Sequence, residues 1–227
     1  MIPRPQNPIV VALDVSDIDR AESLARSLEG RIGMFKIGLE LFAAHGPASV
    51  LRLRDYGPIF LDLKLHDIPT TVERSARNCA RMGVAMLTVH ALGGEAMVSA
   101  AVRGAAQGSA EAGHPPPIVA GVTVLSSLSG EELASSASLA FEAKAAGASA
   151  VVVSGEDVRV VREVVGEEFV VVVPGIRPAG SNGHDQVRIL TPEEALEAGA
   201  DYLVIGRAIT DAKDLAATAD SILATIR

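Results

Sequence analysis

Three charged side chains lie close together in a segment that otherwise has the composition of a buried strand. Residues 59–65 are apolar except for Asp62 and Lys64, and Asp67 follows shortly before Pro69. Side chains two residues apart on a strand share a face, so Asp62 and Lys64 are predicted to project side by side. Aspartate and lysine are seldom fully buried without a partner. The cluster is typical of an acid–base site, although one ion pair that fixes the strand register would use the same residues.

The composition fits one globular domain over residues 1–227. The chain has 227 residues, of which 48% are hydrophobic, a size at which α/β barrels form single domains. Aromatic residues make up only 3%, so we expect a core of Val, Leu, Ile and Ala. The formal net charge of −8 argues against nucleic acid or an anionic membrane as a partner, but it allows an anionic small molecule in a locally basic pocket.

The remaining compositional signals point to a cytoplasmic protein. Cys79 is the only cysteine, which excludes an intramolecular disulfide and predicts a packed thiol in a reducing compartment. The first eight residues have no apolar run typical of a signal peptide. No stretch reaches the roughly 18 uninterrupted apolar residues of a membrane-spanning helix.

Short apolar runs alternate with longer segments of helical periodicity along the chain. The predicted strands are residues 9–15, 34–39, 59–65, 86–90, 118–125, 150–154, 169–174 and 202–205. The predicted helices are residues 17–28, 39–53, 70–82, 95–106, 131–146, 156–165, 192–198 and 214–226. Residues 108–117 are predicted to be a surface loop before the fifth strand.

Eight strand–helix units predict a (β/α)8 TIM barrel of the α/β class, with an open doubly wound sheet as the competing fold. The first strand is followed by Asp14 and not by a Gly-x-Gly-x-x-Gly fingerprint, which disfavours the open sheet. Polar residues also recur at the carboxyl ends of strands throughout the chain. Both observations favour the barrel.

In a barrel, the carboxyl ends of the strands meet at one mouth, where active sites are built. Asp14, Lys36, Asp62, Lys64 and Asp67 would all gather there. Alone, Asp14 could instead cap the following helix, and Lys36 could extend its ammonium group to the rim. Neither alternative explains why charges stand at the same end of successive strands.

The last two units resemble an anion site. Gly206 and Arg207 follow the eighth strand, where barrels often bind phosphate through backbone N–H groups and a guanidinium. Arg177 ends the seventh strand, and the polar loop after it could close over a ligand and supply Gln186. A solvated arginine is the default alternative. Because His66 and His90 are isolated and no His-Glu-x-x-His motif or cysteine pair occurs, we predict neither a metal site nor a cofactor.

The chain resembles the orotidine 5′-phosphate decarboxylase family over essentially its whole length. Its most specific motif is Phe60-Leu61-Asp62-Leu63-Lys64-Leu65-His66-Asp67-Ile68-Pro69-Thr70-Thr71. Shorter similarities occur in the same order at Ala12-Leu13-Asp14, Phe35-Lys36-Ile37-Gly38, Val89-His90-Ala91, Val122-Thr123-Val124-Leu125-Ser126, Pro174-Gly175-Ile176-Arg177 and Val204-Ile205-Gly206-Arg207.

The resemblance implies decarboxylation of orotidine 5′-monophosphate to UMP without a cofactor. Lys64 would stabilise and protonate a carbanion at C6, and Asp62, Asp67 and Lys36 would complete an alternating chain of charges. Asp14 and Lys36 would hold the ribose, and Ser126 the pyrimidine. Gln186, Arg177, Gly206 and Arg207 would bind the phosphate side. The resemblance also implies that the whole second part of the signature contributes to substrate binding. Its residues are Asp62, Leu63, Lys64, Leu65, His66, Asp67, Ile68, Pro69, Thr70 and Thr71.

The resemblance further implies a homodimer with shared active sites, in which Asp67, Ile68 and Thr71 reach the ligand of the neighbouring subunit.

The chain departs from the family pattern in two places. Ser126 stands where bacterial relatives often have Thr, and the segment after the fifth strand is short compared with that of many relatives. Two alternatives stay open at this point. They are a metal-dependent sugar-phosphate decarboxylase similar to 3-keto-gulonate-6-phosphate decarboxylase, and a non-catalytic nucleotide-binding barrel.

Overall fold

The protein folds as a closed barrel of eight parallel strands, each hydrogen-bonded to the next in chain order and β8 to β1. The computed structural model describes residues 5–124, 133–178 and 190–226. The strands are β1 (Ile9–Ala12), β2 (Met34–Ile37), β3 (Ile59–Leu65), β4 (Met86–His90), β5 (Ile118–Val122), β6 (Ala150–Val152), β7 (Val170–Pro174) and β8 (Tyr202–Ile205). This closure confirms the predicted barrel and excludes the open sheet.

Helices follow the strands and surround the barrel. The α-helices within the described residues are α1 (Ile18–Leu28), α2 (Leu39–His45), α3 (Pro47–Leu53), α4 (Pro69–Ala80), α5 (Gly94–Ala112), α6 (Leu133–Ala145), α7 (Val158–Val165), α8 (Pro192–Glu197), α9 (Arg207–Thr210) and α10 (Leu215–Thr225). In the same part of the chain, three short 3₁₀ turns lie at Arg54–Tyr56, Ala91–Gly93 and Gly155–Asp157. Within these described segments, no helix is both long and apolar enough to cross a membrane.

Strand alternation divides the apolar core into two parts. Residues such as Val10, Phe60 and Met86 point into the barrel and form an inner cluster. Their neighbours, such as Val11 and Leu61, point outward and pack against the helices in a larger outer cluster. Because successive side chains on a strand point to opposite faces, each strand contributes to both clusters. This division decides which residues at the strand ends can enter the mouth.

Glycine and proline divide the predicted helix 39–53 into two. Helix α2 ends at His45, and Gly46 adopts a φ of 56°, which residues with a side chain rarely adopt. Pro47 then starts α3, where its missing N–H costs nothing. The prediction of one continuous helix was therefore wrong.

The predicted surface loop 108–117 begins too early, because helix α5 continues to Ala112 and ends at Gly113. Its glycines serve close packing and not chain flexibility. A Cβ at Gly104 would lie 2.1 Å from the Glu73 carbonyl oxygen, and one at Gly108 would lie 2.1 Å from the Arg77 carbonyl oxygen. Glycine is therefore required at both positions, where α5 lies directly against the backbone of α4.

A buried ion pair fastens the bottom of the barrel. The guanidinium of Arg162, on α7, donates to the Asp201 carboxylate at 2.7 Å, with only 7% and 5% of the two side chains exposed. Arg162 also donates to the carbonyl oxygens of Gly166, Phe169 and Gly199. The same carboxylate accepts a hydrogen bond from the backbone N–H of Val171. These bonds tie α7 to the starts of β7 and β8.

Cys79 is a packed thiol, as its position predicted. It is 6% exposed on α4, and burial raises the pKa of its thiol to about 11. The thiol is therefore protonated and unreactive at neutral pH.

Replacing Arg162 by methionine is expected to lower the free energy of unfolding by about 3–5 kcal/mol, because it leaves the buried Asp201 carboxylate without its cation. Chemical denaturation at a fixed protein concentration measures this. Arg159→Met, at an exposed position of the same helix, is the control and should change stability little. A loss for Arg162→Met no larger than that of the control would contradict the assignment.

Candidate active site

The inward-facing positions of the first three strands change from apolar to charged as each strand reaches the mouth. Lys36 follows the inward-facing Met34, and Asp62 follows Phe60, each two residues further along its strand. Asp14 stands two residues after Ala12, just beyond β1, where the Leu13 N–H still donates to the Lys36 carbonyl oxygen. The alternation that fills the barrel thus delivers these charges to one place.

The charges form a continuous chain of ion pairs. The Lys36 Nζ lies 2.9 Å from Asp14 Oδ1 and 3.7 Å from Asp62 Oδ2. The Lys64 Nζ lies 2.8 Å from the same Asp62 Oδ2. The order is Asp14, Lys36, Asp62, Lys64, with alternating sign. Only 12% of the Asp62 side chain is exposed, so its carboxylate is partly desolvated between two ammonium groups.

Lys64 reaches this position through an irregular strand. Leu61 pairs with Leu87 and Leu65 pairs with Val89, so three residues of β3 stand opposite the single residue Thr88. Lys64 has a φ of 51° and is the only described residue other than glycine with a positive φ. Such a backbone costs on the order of 1–3 kcal/mol and persists only where its surroundings enforce it. Asp62 and Lys64 are side by side as predicted, but a bulge and not simple alternation brings them together.

Gly38 provides room for the first ion pair. A Cβ at this position would lie 3.1 Å from both the Asp14 Oδ1 and the Lys36 Nζ. The alternative reading of Asp14 as a helix cap is wrong, because Asp17 caps α1 by accepting a hydrogen bond from the Asp19 N–H. The Asp14 carboxylate instead forms an ion pair with Lys36.

One cavity of about 940 Å³ connects these charges to the opposite side of the mouth. Its lining includes Asp14, Lys36, Asp62, Arg177, Gly206 and Arg207. Arg177 is positioned by its backbone N–H, which donates to the Leu190 carbonyl oxygen. Gly206 precedes the short helix α9, which the sequence did not predict and which begins with Arg207. The predicted anion site thus shares one cavity with Asp14, Lys36 and Asp62, and Lys64 is joined to that group through its ion pair with Asp62.

Sequence reasoning missed two residues of the site. Arg20, in the first turn of α1, also lines the cavity. Thr88 is the inward-facing residue of β4 after Met86, and its hydroxyl contacts both Asp62 and the backbone of Lys64. The alternation of β4 could have revealed Thr88, whereas nothing in the sequence directs attention to Arg20.

The rest of the signature segment lies outside this chain of charges. The Asp67 carboxylate is exposed and accepts a hydrogen bond from the Ile68 N–H, and no ion pair to it occurs within the described part of the chain. Asp67 therefore does not flank Lys64 within one subunit. The expectation that Asp62 and Asp67 of the same chain lie on either side of Lys64 was wrong. Leu63 and Leu65 pack against the outer core. The exposed residues that remain are His66, Ile68, Pro69, Thr70 and Thr71.

Two predicted binding residues, Ser126 and Gln186, lie outside the described residues. Across residues 5–124, 133–178 and 190–226, no three His, Cys, Asp or Glu side chains are grouped as metal ligands.

His90 lies next to the charged chain at the end of β4. Its ring centroid is 5.3 Å from that of His66. Burial lowers the pKa of His90 from its usual value of 6.5, and the neighbouring His66 and Lys64 lower it further, while Asp62 opposes them. These effects all favour the neutral imidazole over the charged one, except that of Asp62.

The chain matches the model of the orotidine 5′-phosphate decarboxylase / HUMPS family over residues 7–222. It belongs to this family. The orotidine 5′-phosphate decarboxylase of Moorella thermoacetica is 46% identical, with 97% of this chain and 92% of that protein covered. That of Anaeromyxobacter sp. strain K is 47% identical, with 97% and 99% covered.

Solved structures agree with the sequence comparisons. The crystal structure of orotidine 5′-phosphate decarboxylase from Lactobacillus acidophilus superimposes with a TM-score of 0.86 at 35% identity. The superposition covers 98% of this chain and 100% of the Lactobacillus acidophilus chain. The family predicted from the signature segment is confirmed.

The titration of His90 tests the electrostatics of the site. Its pKa is expected below 6.5, and His66→Ala should raise it while burial keeps it below that value. The folded state then binds fewer protons than the unfolded state, so stability should decline as the pH falls through 6.5. Imidazole proton shifts measured by NMR give the pKa, with His45→Ala as the control variant. A His90 pKa above 6.5 would contradict the geometry.

Proposed function

We propose that this protein decarboxylates orotidine 5′-monophosphate to UMP in pyrimidine biosynthesis. The observation that carries the proposal is the Asp14–Lys36–Asp62–Lys64 chain of ion pairs, whose first three members line the same cavity as Arg177 and Arg207. An anionic nucleotide that must lose a carboxylate suits a cavity with cations on both sides. The relatives at 46% and 47% identity, named orotidine 5′-phosphate decarboxylases, support the same substrate.

The substrate is placed across the cavity with its phosphate at the β7–β8 side. The phosphate is bound by Arg177, Gln186, Arg207 and the backbone N–H groups after Gly206. Asp14 and Lys36 hold the ribose hydroxyls. Ser126 binds the pyrimidine. This orientation directs C6 of the ring toward Asp62 and Lys64.

Lys64 replaces the electron sink that a cofactor supplies in other decarboxylases. As the bond between C6 and the carboxylate breaks, its electron pair stays on C6 and carbon dioxide departs. The Lys64 ammonium stabilises this developing charge electrostatically and then transfers a proton to C6. Asp62, 2.8 Å from Lys64 Nζ, attracts the positive charge of the ammonium group and holds it in place before the reaction. No metal and no cofactor takes part in this scheme.

Binding energy from the phosphate contributes to the chemical step. Contacts remote from the reacting carbon can order the site and hold the substrate carboxylate near Asp62. Two like charges are then brought together, which favours departure of carbon dioxide.

Asp67 acts across a subunit interface in this proposal. Its carboxylate lies on the exposed segment with Ile68 and Thr71, away from the Lys64 of its own chain. Ile68 is 67% exposed, which suits a surface that a second copy covers. We infer a cytoplasmic homodimer, each subunit a single barrel domain, with Asp67 completing the neighbouring site.

The function is tested by following the ultraviolet absorbance of orotidylate, which should fall as UMP forms. Wild-type activity should survive exhaustive treatment with EDTA, which separates this function from that of a metal-dependent sugar-phosphate decarboxylase. A protein that binds orotidylate but leaves its absorbance unchanged would instead be a nucleotide-binding barrel.

Lys64→Ala is expected to abolish decarboxylation while UMP binding stays measurable, because the variant loses the proton donor but keeps the phosphate and ribose contacts. Single-turnover absorbance measurements and calorimetric titration with UMP give the two quantities. Lys144→Ala, which removes a lysine that donates to the Val165 carbonyl oxygen, is the control. An active Lys64→Ala enzyme would remove Lys64 from the mechanism.

Arg207→Ala is expected to weaken orotidylate and UMP binding by about 2–4 kcal/mol, because it removes a charge-assisted contact to a largely desolvated phosphate. The affinity for uridine, which lacks the phosphate, should change little. Arg26→Ala, an exposed arginine on α1, controls for the loss of one positive charge. Unchanged UMP affinity in Arg207→Ala would refute the phosphate assignment.

A further inference from the structure

We infer that Thr88 is a positioning residue for the Asp62–Lys64 pair. It occupies the inward-facing position of β4 above Met86, opposite the irregular part of β3. Its side chain is completely buried, with 0% of the residue exposed. A hydroxyl buried in this way must find its hydrogen-bond partners inside the protein.

The Thr88 hydroxyl has two partners, and both belong to the proposed catalytic pair. It accepts a hydrogen bond from the Lys64 backbone N–H at 2.8 Å and donates one to Asp62 Oδ1 at 2.9 Å. A backbone N–H can only donate, and a hydroxyl has a single proton. The direction of both bonds is therefore fixed, and the bond to Asp62 requires an oxygen that accepts.

The first bond supports the backbone that carries Lys64. Between the pairs Leu61–Leu87 and Leu65–Val89, the regular ladder between β3 and β4 is interrupted. The Thr88 hydroxyl accepts from the Lys64 N–H inside this interruption, at the residue whose φ is 51°. The side chain thus replaces a backbone acceptor and holds the uncommon conformation in place.

The second bond fixes the orientation of the Asp62 carboxylate. Oδ1 is engaged by Thr88, which leaves Oδ2 to face both Lys64 at 2.8 Å and Lys36 at 3.7 Å. Without the hydroxyl, the carboxylate could rotate away from both ammonium groups. One small side chain therefore sets the position of the proton donor and of the acid beside it.

This inference rests on the proposed function for its kinetic consequence. If Lys64 protonates C6, a displaced ammonium group slows the chemical step and leaves the phosphate and ribose contacts intact. A shift of the order of 1 Å in a reacting group can reduce the rate about 100-fold. Loss of the Thr88 hydroxyl should therefore lower kcat far more than it raises KM.

The decisive variants are Thr88→Val, which keeps the shape but loses the hydroxyl, and Thr88→Ser, which keeps the hydroxyl. Thr88→Val should reduce kcat by about 100-fold with KM changed less than about threefold, and Thr88→Ser should stay within about fivefold of wild type. Ser109→Ala removes another buried hydroxyl, one that donates to the Ala105 carbonyl oxygen on α5, and should leave both constants unchanged. If Thr88→Val does not fold, Thr88→Ala removes the same hydroxyl and should give the same division between kcat and KM.

Hydrogen exchange of the Lys64 amide provides a readout that does not depend on activity. This amide should exchange faster in Thr88→Val than in wild type and remain protected in Thr88→Ser. A wild-type protein inactive on orotidylate would refute the proposed function, and the exchange data would still test the role of Thr88. The inference is overturned if Thr88→Val keeps wild-type kcat and Lys64 protection, or if Thr88→Ser loses kcat as severely as Thr88→Val.

Discussion

The carboxylate of Asp62 is the contact on which the site depends. It lies between two ammonium groups, at 2.8 Å and 3.7 Å, and it also accepts a hydrogen bond from Thr88. Because it lies between the Lys36 and Lys64 ammonium groups, the carboxylate offsets the repulsion between them. The partial burial of Asp62 strengthens its attraction to both cations. Every proposed step of the reaction requires this arrangement to be present before the substrate binds.

The barrel supplies the arrangement through a simple geometric rule. In β1 to β4, inward-facing side chains are apolar inside the barrel and polar near its mouth, so one alternation builds both the core and the site. The opposite end of the barrel uses a buried charge differently. There the Arg162 guanidinium is fully occupied by carbonyl oxygens and Asp201, which leaves it no capacity for a ligand. The buried charges at the bottom of the barrel hold α7 against the strands, whereas the charged residues at the mouth line a cavity.

The irregular stretch of β3 shows how local strain and function are connected. A regular strand would place residues 62–64 opposite as many residues of β4, with the Lys64 N–H in the ladder. The bulge instead gives Lys64 a positive φ, and the chain compensates with the Thr88 hydroxyl. Asp67, three residues further on, points to solvent in the single chain. The signature segment therefore divides into a part that builds the chain of charges and a part, from His66 to Thr71, that is exposed.

The sequence by itself determined the eight strands of the fold and most of the candidates for the site. The apolar runs located all eight strands, and the signature from Phe60 to Thr71 identified the family, because strand periodicity and motif spacing are properties of neighbouring residues. The tertiary structure alone decided the partners. It joined Asp14 to Lys36, selected Thr88, kept Asp67 apart from Lys64 and made Gly108 part of a helix. Each of these outcomes depends on contacts between segments distant in the chain, which no local pattern records.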